Sequence, residues 1–397
     1  MEENYYKFKY LKYKNKYLQL KNENTYTFFN KIKHQIGGEG KNDIFNPIYN
    51  PIYIEEYNIY DICHNDINQI IIISPSEDKP LIIKLKHNNK LINFNLEICP
   101  HNHTYIYYST FCKYKKEITL IINGNEKKVT VNKYPQFTNK IIMSTLVKNE
   151  DNYIIQWINY HIRLGIEKFI IYDNIKSNYV IKNNIKSLLL KQSNLEKVLQ
   201  DYIEKKIVVL INWPYTYKLP ISGISGQTTQ QNHSIYSFRG CKYIGLFDID
   251  EYINPQIDNL ESNNLESELK NIQIDNIFNK IIKKNRLNIN NIGSFVIKCK
   301  LFYNPDNKST DGYNFLNIYN CDTITLKGRE KNFVIPKNVR TFSVHQITKG
   351  KKSFTINFNI LFFNHYFYLN KSDRGNYKTK YKDDSIKKII KIINLNI

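Results

Sequence analysis

The chain has 397 residues, of which 42% are hydrophobic and 14% aromatic. This composition excludes an intrinsically disordered protein, and the length allows about two folded domains. Lys and Arg outnumber Asp and Glu by 57 to 36, a net charge of +21, so the surface attracts anions such as nucleic acids, anionic lipids and sugar nucleotides.

The first predicted element is a basic helix over residues 1–22. Apolar side chains recur along one of its faces at alternating steps of four and three, at Tyr6, Tyr10, Tyr13, Tyr17 and Leu20. This face is expected to pack against the domain or to support weak self-association, in preference to membrane or nucleic-acid contact. Residues 23–67 show no periodicity, contain the sequence GGEG and are predicted to form a flexible linker.

Residues 68–135 consist of short runs rich in β-branched and aromatic side chains, separated by Asn, Pro and Gly. The last run, EITLIINGNEKKVTVN, contains Asn123-Gly124 between two strand-like halves, which predicts a hairpin. A small antiparallel β domain is therefore expected here. It contains no cluster of side chains that indicates catalysis.

An α/β pattern begins at about residue 136 and is predicted to continue to 380. The segment 140–147 is a predicted strand, Asn149 is a candidate cap for the helix that follows, and 167–172 is the next strand. One apolar face of that helix is predicted to consist of Ile154, Trp157, Ile158, His161 and Leu164, and Gly165 is the candidate helix stop. Strand, helix and strand within about 35 residues predict a right-handed βαβ unit with parallel strands. Further predicted elements are a strand at 206–212, a helix at 227–239, a strand that begins at residue 243 and a basic C-terminal helix over 381–397.

The sequence YIGLFDIDEYINP at 243–255 changes abruptly from a strand-like apolar run to three carboxylates. Asp248 and Asp250 are two residues apart, so on a strand their side chains lie on the same side and repel each other unless a positive charge lies between them. Two other polar clusters, at 148–150 and 173–174, also follow predicted strands. Ligands of such sheets bind beyond the carboxyl ends of the strands.

Carboxylate oxygens at this edge suit a hard divalent cation such as Mn²⁺ or Mg²⁺. Such an ion neutralises a diphosphate as it departs from a sugar. The alternative is that the acids only cap a turn or the next helix, because Asp-x-Asp alone recurs by chance.

Several segments in order resemble glycosyltransferase family 92 and its GT-A relatives. The matching segments are MSTLVKNEDNYIIQWINYHIRLGIEKFIIYDN at 143–174, FDIDEYINP at 247–255, KNFVIPKNVRTFSVHQI at 331–347 and FFNHYFYLNKSD at 362–373. The resemblance covers about residues 138–375. It implies a GT-A fold, with a mixed and mainly parallel sheet flanked by helices, preceded by the small antiparallel β domain.

The resemblance also implies roles for individual residues. Glu150 and Asp173 would contact the nucleoside of a UDP-sugar donor, and Asp248 would lie close to the ribose and the metal. Asp250 would be the direct metal ligand, and His345 or His365 would supply a further one, although a buried, hydrogen-bonded histidine explains either position nearly as well.

Candidates to hold the diphosphate are Lys331, Lys337, Arg340, Lys371 and Arg374. The family is described as inverting, with galactose as the known transfer, so one carboxylate must take the acceptor proton. Asp311 and Glu330 are the candidates for that base, and the acceptor is a glycan, a protein, a lipid or a small molecule.

No run of about 18 uncharged apolar residues occurs, so no membrane span is expected, and the first residues lack the apolar region of a signal peptide. The six cysteines are widely spaced, which indicates neither a disulfide framework nor a structural zinc site. The protein is therefore expected in the cytoplasm. The basic N-terminal helix and the Asn/Ile/Lys-rich composition are similar to those of proteins of large DNA viruses, which implies the host cytoplasm or the virion.

Three other interpretations compete with a galactosyltransferase. The charge and the many tyrosines suggest a nucleic-acid-binding protein, but no recognisable nucleic-acid module occurs, so no nucleic-acid partner is expected. An inactive glycan-binding relative would not need the intact FDIDE sequence. A different donor, UDP-glucose or UDP-N-acetylglucosamine, is the most plausible of the three, because the pockets for such sugars differ by one or two hydrogen bonds.

Overall fold

The computed structural model describes residues 48–75, 79–87, 90–99, 104–148, 151–174, 194–215, 225–256, 265–302, 320–321, 328–366 and 381–393. These residues belong to one compact unit, Asn46–Ile397. The predicted helix over 1–22 lies outside the described residues.

The described strands, in chain order, are β1 Ile48–Tyr49, β2 Asp61–His64, β3 Ile70–Pro75, β4 Ile83–His87, β5 Lys90–Asn93, β6 Asn95–Cys99, β7 Thr104–Tyr108, β8 Glu117–Ile122, β9 Asn125–Thr130, β10 Asn132–Lys133, β11 Ile141–Val147, β12 Lys168–Asp173, β13 Val208–Asn212, β14 Tyr243–Leu246, β15 Glu251–Pro255, β16 Ile292–Phe302, β17 Asn320–Cys321, β18 Lys331–Val334, β19 Val339–Ser343, β20 Gln346–Gly350, β21 Lys352–Thr355, β22 Leu361–Tyr366 and β23 Tyr381–Lys382. The described α-helices are α1 Asp151–Arg163, α2 Leu195–Glu204, α3 Ser225–Ser237, α4 Leu265–Ile272, α5 Ile274–Lys284 and α6 Ser385–Ile393.

The predicted βαβ unit is present as β11, α1 and β12. Strands β11 and β12 are parallel, with Val147 opposite Asp173. Helix α1 ends at Arg163, and Gly165 follows with a φ of +89°, a left-handed conformation that glycine adopts without strain and that stops the helix as predicted. The order β13-β12-β11-β14 is parallel throughout, so the carboxyl ends of these strands meet at one edge.

The other half of the twelve-stranded sheet is mixed. Strand β18 pairs antiparallel with both β14 and β16, whereas β22 runs parallel to β16 and antiparallel to β15. The expectation of a mainly parallel sheet therefore applies to only one half. The mixed half returns β22 to the same region as the end of β14, where the acidic residues lie.

The N-terminal β region forms two sheets, ordered β10-β2-β3-β7-β6 and β5-β4-β8-β9, that share an apolar core. The predicted hairpin is confirmed, since Ile122 pairs with Asn125 and both Asn123 and Gly124 have positive φ angles, as a type I′ turn requires. The linker prediction is wrong for residues 48–67, where β1 and β2 lie. Strand β1 pairs with β13 and thereby extends the parallel sheet by one strand.

Helix α3 joins the N-terminal sheets to the parallel sheet, although most of its buried side chains are polar. Several of these side chains form hydrogen bonds to the elements on either side of the helix. The Thr229 hydroxyl lies 2.9 Å from that of Thr104, and the Gln230 amide donates to the Ser144 hydroxyl at 3.0 Å. Because a buried polar group is costly only when it is unpaired, this helix is a specific junction between the two parts.

Candidate functional site

Asp248 and Asp250 of the FDIDE sequence lie in the turn that connects β14 to β15, and Glu251 follows as the first residue of β15. The backbone N–H of Glu251 donates to the carbonyl of Asp248 at 3.2 Å, which closes the turn. Helix α1 fixes the strand that follows, because the Trp157 indole N–H donates to the Glu251 carbonyl at 2.9 Å and the Tyr160 hydroxyl to the Ile253 carbonyl at 2.6 Å. The apolar face predicted for α1 therefore also orients β15.

The positive charge beside Asp248 is an ammonium group. Lys331 Nζ lies 2.7 Å from Asp248 Oδ2 and 3.0 Å from Glu251 Oε2, and the lysine side chain is only 3% exposed. Burial lowers the pKa of Lys331, but the two carboxylates outweigh it and raise the pKa above its usual value. The resemblance implies that Lys331 binds a diphosphate, and the structure shows its ammonium group paired with the two carboxylates.

The charges at the turn also shift the carboxylates. Burial raises the pKa of Asp248, but the nearby charge of Lys331 outweighs it, and the pKa lies below its usual value. Glu251 is 1% exposed, and burial raises its pKa to about 7, with Asp248 and Asp250 adding to the rise and Lys331 opposing it. The most deeply buried acid of the turn is thus the one whose charge depends most on a nearby cation.

A second cluster forms on the other side of the turn from Asp250, Glu251 and His365. His365 lies opposite Glu251 in the β15–β22 pair; its Nε2 is 3.4 Å from Asp250 Oδ2 and its Nδ1 is 3.7 Å from Glu251 Oε1. One nitrogen or oxygen from each residue lies within 4.8 Å of the others. Glu251 Oε1 is buried and accepts no hydrogen bond from any described residue.

These three residues fit a divalent cation. Two carboxylates and one imidazole are a donor set that Mn²⁺ accepts, and the buried Glu251 Oε1 needs a positive partner. Burial lowers the pKa of His365, but the carboxylates beside it, chiefly Asp250, outweigh this and raise it to about 10. A bound cation would replace that proton.

His345 and Glu330 lie next to the turn but not in the cluster of Asp250, Glu251 and His365. The Nδ1 of His345 is 2.9 Å from the carbonyl of Glu330, and burial together with the charge of Lys331 lowers the histidine pKa. The Glu330 carboxylate accepts a hydrogen bond from the Gly328 N–H at 2.8 Å. Residue 344, before His345, is a valine with a φ of +32°, a costly conformation for a β-branched side chain.

Other predicted site residues lie elsewhere. Asp173 is buried at the end of β12, on the same edge as the turn but two strands away. Arg340 is bound to the N-terminal sheet, where its Nε donates to the buried Glu97 carboxylate at 2.6 Å. This ion pair holds the guanidinium at the N-terminal sheet, and a role for Arg340 at the diphosphate stays a prediction. Glu150, Asp311, Lys371 and Arg374 lie outside the described residues.

Two members of the site were not identified as such from the sequence. Glu251 was recognised as a third acid but not as a candidate ligand, and Lys331 was not expected to pair with the acids. The only signal for Glu251 was its place directly after Asp250 in FDIDE. The pairing of Lys331 and His365 with this turn depends on strand partners 80 or more residues away, which no local pattern encodes.

No helix among the described residues is long and apolar enough to cross a membrane. A comparison with protein families matches residues 191–394 to glycosyltransferase family 92. This match includes the acidic turn, Lys331, His345 and His365, and it begins after Asp173. A Ricinus communis protein named as a member of the same family is 22% identical over 236 residues, which are 58% of this chain and 35% of that protein. The chain thus spans about a third of the length of this relative.

Proposed function

Because the chain belongs to glycosyltransferase family 92, we propose that it transfers a hexosyl group from a UDP-sugar to an acceptor hydroxyl with the help of a divalent cation. The observation that carries this proposal is the cluster of Asp250, Glu251 and His365 at the carboxyl edge of the parallel strands. A GT-A fold with a nucleotide bound across this edge accounts for the arrangement.

The residues of the turn have separate roles in this proposal. Asp250, Glu251 and His365 hold the cation, which supplies positive charge to the diphosphate leaving group. Lys331 is a positioning residue, because it is 3% exposed and its ammonium group contacts the carboxylates of Asp248 and Glu251. The Asp248 carboxylate, which is paired with Lys331, is proposed to lie close to both the ribose and the cation.

Transfer with inversion requires a carboxylate that takes the proton of the acceptor hydroxyl. Of the two candidates, Glu330 is the described one; it directly precedes Lys331 in the chain, and its backbone carbonyl accepts from His345. We propose Glu330 for this role, with Asp311 as the alternative. Galactose is the proposed sugar on the basis of family membership, with glucose and N-acetylglucosamine as the competing hexosyl groups.

The test is calorimetric titration of UDP into the wild-type chain in Mn²⁺ and in EDTA, beside Asp250→Asn. The proposal requires tight binding that depends on Mn²⁺ and is lost in the variant. Asp201→Asn is the matched control, since Asp201 is an exposed acid of α2. Equal, weak and salt-sensitive binding in all samples would show that the basic surface attracts any anion, and it would contradict the proposal.

With a donor site established, release of UDP from UDP-galactose, UDP-glucose and UDP-N-acetylglucosamine would identify the sugar. Glu330→Gln is expected to bind UDP as tightly as the wild type while transferring sugar at least about a hundredfold more slowly, the usual contribution of a general base. Unchanged transfer in this variant would move the role to Asp311.

A further inference from the structure

An exposed apolar patch lies on the N-terminal β region, where the loop between β7 and β8 adjoins the turn between β2 and β3. It consists of Phe111, which is 68% exposed, Ile67, which is 43% exposed, and Tyr114, which is 36% exposed. The Cys112 N–H donates to the Asn68 carbonyl at 2.7 Å, which places the loop beside the turn. One exposed apolar side chain is ordinary on a protein surface, whereas three on adjoining segments indicate a contact site.

The backbone of the loop holds Phe111 outward. Ser109 is anchored to β3, because its N–H donates to the Ile70 carbonyl and its hydroxyl accepts from the Ile70 N–H, each at 2.9 Å. Cys112 lies in the apolar core, and its carbonyl oxygen is 2.6 Å from His64 Nε2. Since the chain is fixed on both sides and Cys112 fills the inward position, Phe111 cannot be buried without breaking these contacts.

Four lysines lie around this patch. Lys113, Lys115 and Lys116 belong to the same loop and are exposed. The fourth is Lys133, whose ammonium group lies 5.5 Å from the centre of the Tyr114 ring. The patch is therefore bordered by positive charge as well as exposed to solvent.

The two acids in the sequences of the turn and the loop, Asp66 and Glu117, do not cancel this charge. Both carboxylate oxygens of Asp66 accept from the Gly240 N–H, at 2.7 and 2.8 Å. Glu117 Oε2 is 2.8 Å from Lys128 Nζ, so this acid is neutralised by a fifth lysine from β9. The four lysines around the patch thus give this face a net positive charge, which attracts an anionic partner.

This combination of side chains fits the surface of an anionic bilayer. Phe111 and Ile67 have no hydrogen-bonding group in their side chains and gain most from apolar surroundings, and an isoleucine offers no ring on which a nucleic-acid base would stack. Tyr114 is amphipathic, as are the tyrosines found at the level of lipid headgroups. The four lysines have apolar stems and charged ends, so they reach anionic headgroups beside the inserted residues.

The apolar patch lies at the opposite end of α3 from the acidic turn. Gln227, in the first turn of α3, donates to Asp248 Oδ1 at 3.4 Å. Near the other end of the helix, the Tyr236 carbonyl accepts from the side-chain amide of Asn65, in the turn that carries Ile67, at 3.1 Å. A helix of 13 residues is about 20 Å long, so a surface bound at the patch leaves the acidic turn about one helix length away.

We propose that this face binds an anionic lipid bilayer, with Phe111 and Ile67 inserted among the headgroups and with Tyr114 and the four lysines at their level. This interaction surface is separate from the acidic turn, and the inference does not depend on the proposed function. Apolar insertion and charge both contribute to such binding. Because they come from different side chains, each contribution can be removed alone.

The experiment measures co-sedimentation of the full chain with vesicles of phosphatidylcholine alone and with vesicles of equal parts of phosphatidylcholine and phosphatidylserine. The wild type is expected to bind only the second kind. Phe111→Ala should weaken this binding about tenfold, because the inserted aromatic ring is lost. The triple variant Lys113→Gln, Lys115→Gln, Lys116→Gln should weaken it about a hundredfold, at about fivefold for each lysine.

Two control variants remove similar groups elsewhere. Ile82→Ala removes an apolar side chain that is 67% exposed, at the other end of the β4–β8 pair from the loop. The triple variant Lys280→Gln, Lys283→Gln, Lys284→Gln removes the same charge from exposed positions of α5. Both controls should bind the vesicles as the wild type does.

Insertion also has a direct spectroscopic readout. The two tryptophans of the chain, Trp157 and Trp213, are both buried, so Phe111→Trp adds an indole at an exposed position. Its fluorescence emission should shift to shorter wavelength on addition of vesicles with phosphatidylserine, because the headgroup region is less polar than water. Vesicles of phosphatidylcholine alone should leave the emission unchanged.

Three results would each overturn the inference: no vesicle binding by the wild type, equal losses in the two lysine variants, or unchanged binding by Phe111→Ala with no emission shift in Phe111→Trp. Equal losses would show that the basic chain attracts any anionic surface. Binding of single-stranded RNA that requires Phe111, without binding of vesicles, would assign the patch to nucleic acid instead.

Discussion

Acid is expected to destabilise the protein through His161, which is fully buried in α1. Its Nε2 lies 3.3 Å from the backbone nitrogen of Ile253, and its Nδ1 lies 2.8 Å from the carbonyl of Trp157. A backbone N–H can only donate and a carbonyl can only accept, so the ring is neutral, with its proton on Nδ1. The rings of Trp157, Tyr160 and Tyr252 pack around it, and none of them offers a negative charge.

Burial lowers the pKa of His161 from 6.5 to about 3. The unfolded chain therefore binds a proton at this residue below pH 6.5 while the folded chain does not, so the stability contributed by the neutral ring is complete above that pH and falls as acid is added. At 1.36 kcal/mol per pH unit, the free energy of unfolding loses about 2.5 kcal/mol between about pH 7 and pH 4.5.

The assay is urea unfolding of the wild type and of His161→Gln at these two pH values. Glutamine offers an oxygen acceptor toward Ile253 and does not titrate, so the variant is expected to be less stable at pH 7. Its further loss in acid should be smaller than that of the wild type by about 2.5 kcal/mol. Equal losses in the two proteins would refute the reasoning, because other groups would then account for the whole acid effect.

Three further predictions concern the acidic turn and its surroundings. Lys331→Met leaves buried carboxylates without their cation and is expected to cost about 3–5 kcal/mol in urea unfolding, whereas Lys352→Met, at an exposed position, should stay within about 0.5 kcal/mol of the wild type. Mn²⁺ at about 100 times its dissociation constant should stabilise the wild type by about 2.7 kcal/mol in thermal unfolding, and Asp250→Asn should abolish this gain; equal gains would place the ion elsewhere. Arg340→Ala should lower stability while leaving the affinity for UDP unchanged in titration, because the guanidinium is paired with a buried carboxylate of the N-terminal sheet; a weakened affinity would return this arginine to the donor site.

The sequence predicts those parts of the fold that local patterns encode. The apolar face of α1, the stop at Gly165 and the Asn123-Gly124 turn each follow from a few neighbouring residues, and the structure contains all three. Strand β1 is different, because it has only two residues and is formed by pairing with β13, more than 150 positions away. The lack of periodicity therefore predicts a linker for a segment that in fact supplies an edge strand of the sheet.

The same distinction applies to the site. A ligand site at the carboxylates of the turn is predicted because these residues directly follow a buried strand. The sequence does not predict that Lys331 pairs with them. Lys331 reaches the turn because β18 pairs with β14, and His365 reaches it because β22 pairs with β15. Both pairings are long-range, and a shift of one residue in either register would turn the lysine or the histidine to the opposite face.

The charge balance explains why a buried lysine is compatible with a cation at this turn. Three carboxylates and one ammonium group leave a net charge of −2 when His365 is neutral, which is the charge that one divalent ion neutralises. Lys331 occupies the side of Asp248 and Glu251 Oε2, whereas Glu251 Oε1 points to His365. The lysine thus reduces the repulsion among the acids during folding without filling the position between Asp250 and His365.

Glu251 contacts Lys331 through one carboxylate oxygen and lies near His365 through the other. Glu251→Gln should therefore weaken both the pairing with Lys331 and the binding of Mn²⁺. Loss of stability with unchanged affinity for Mn²⁺ would show instead that Glu251 has only the structural role.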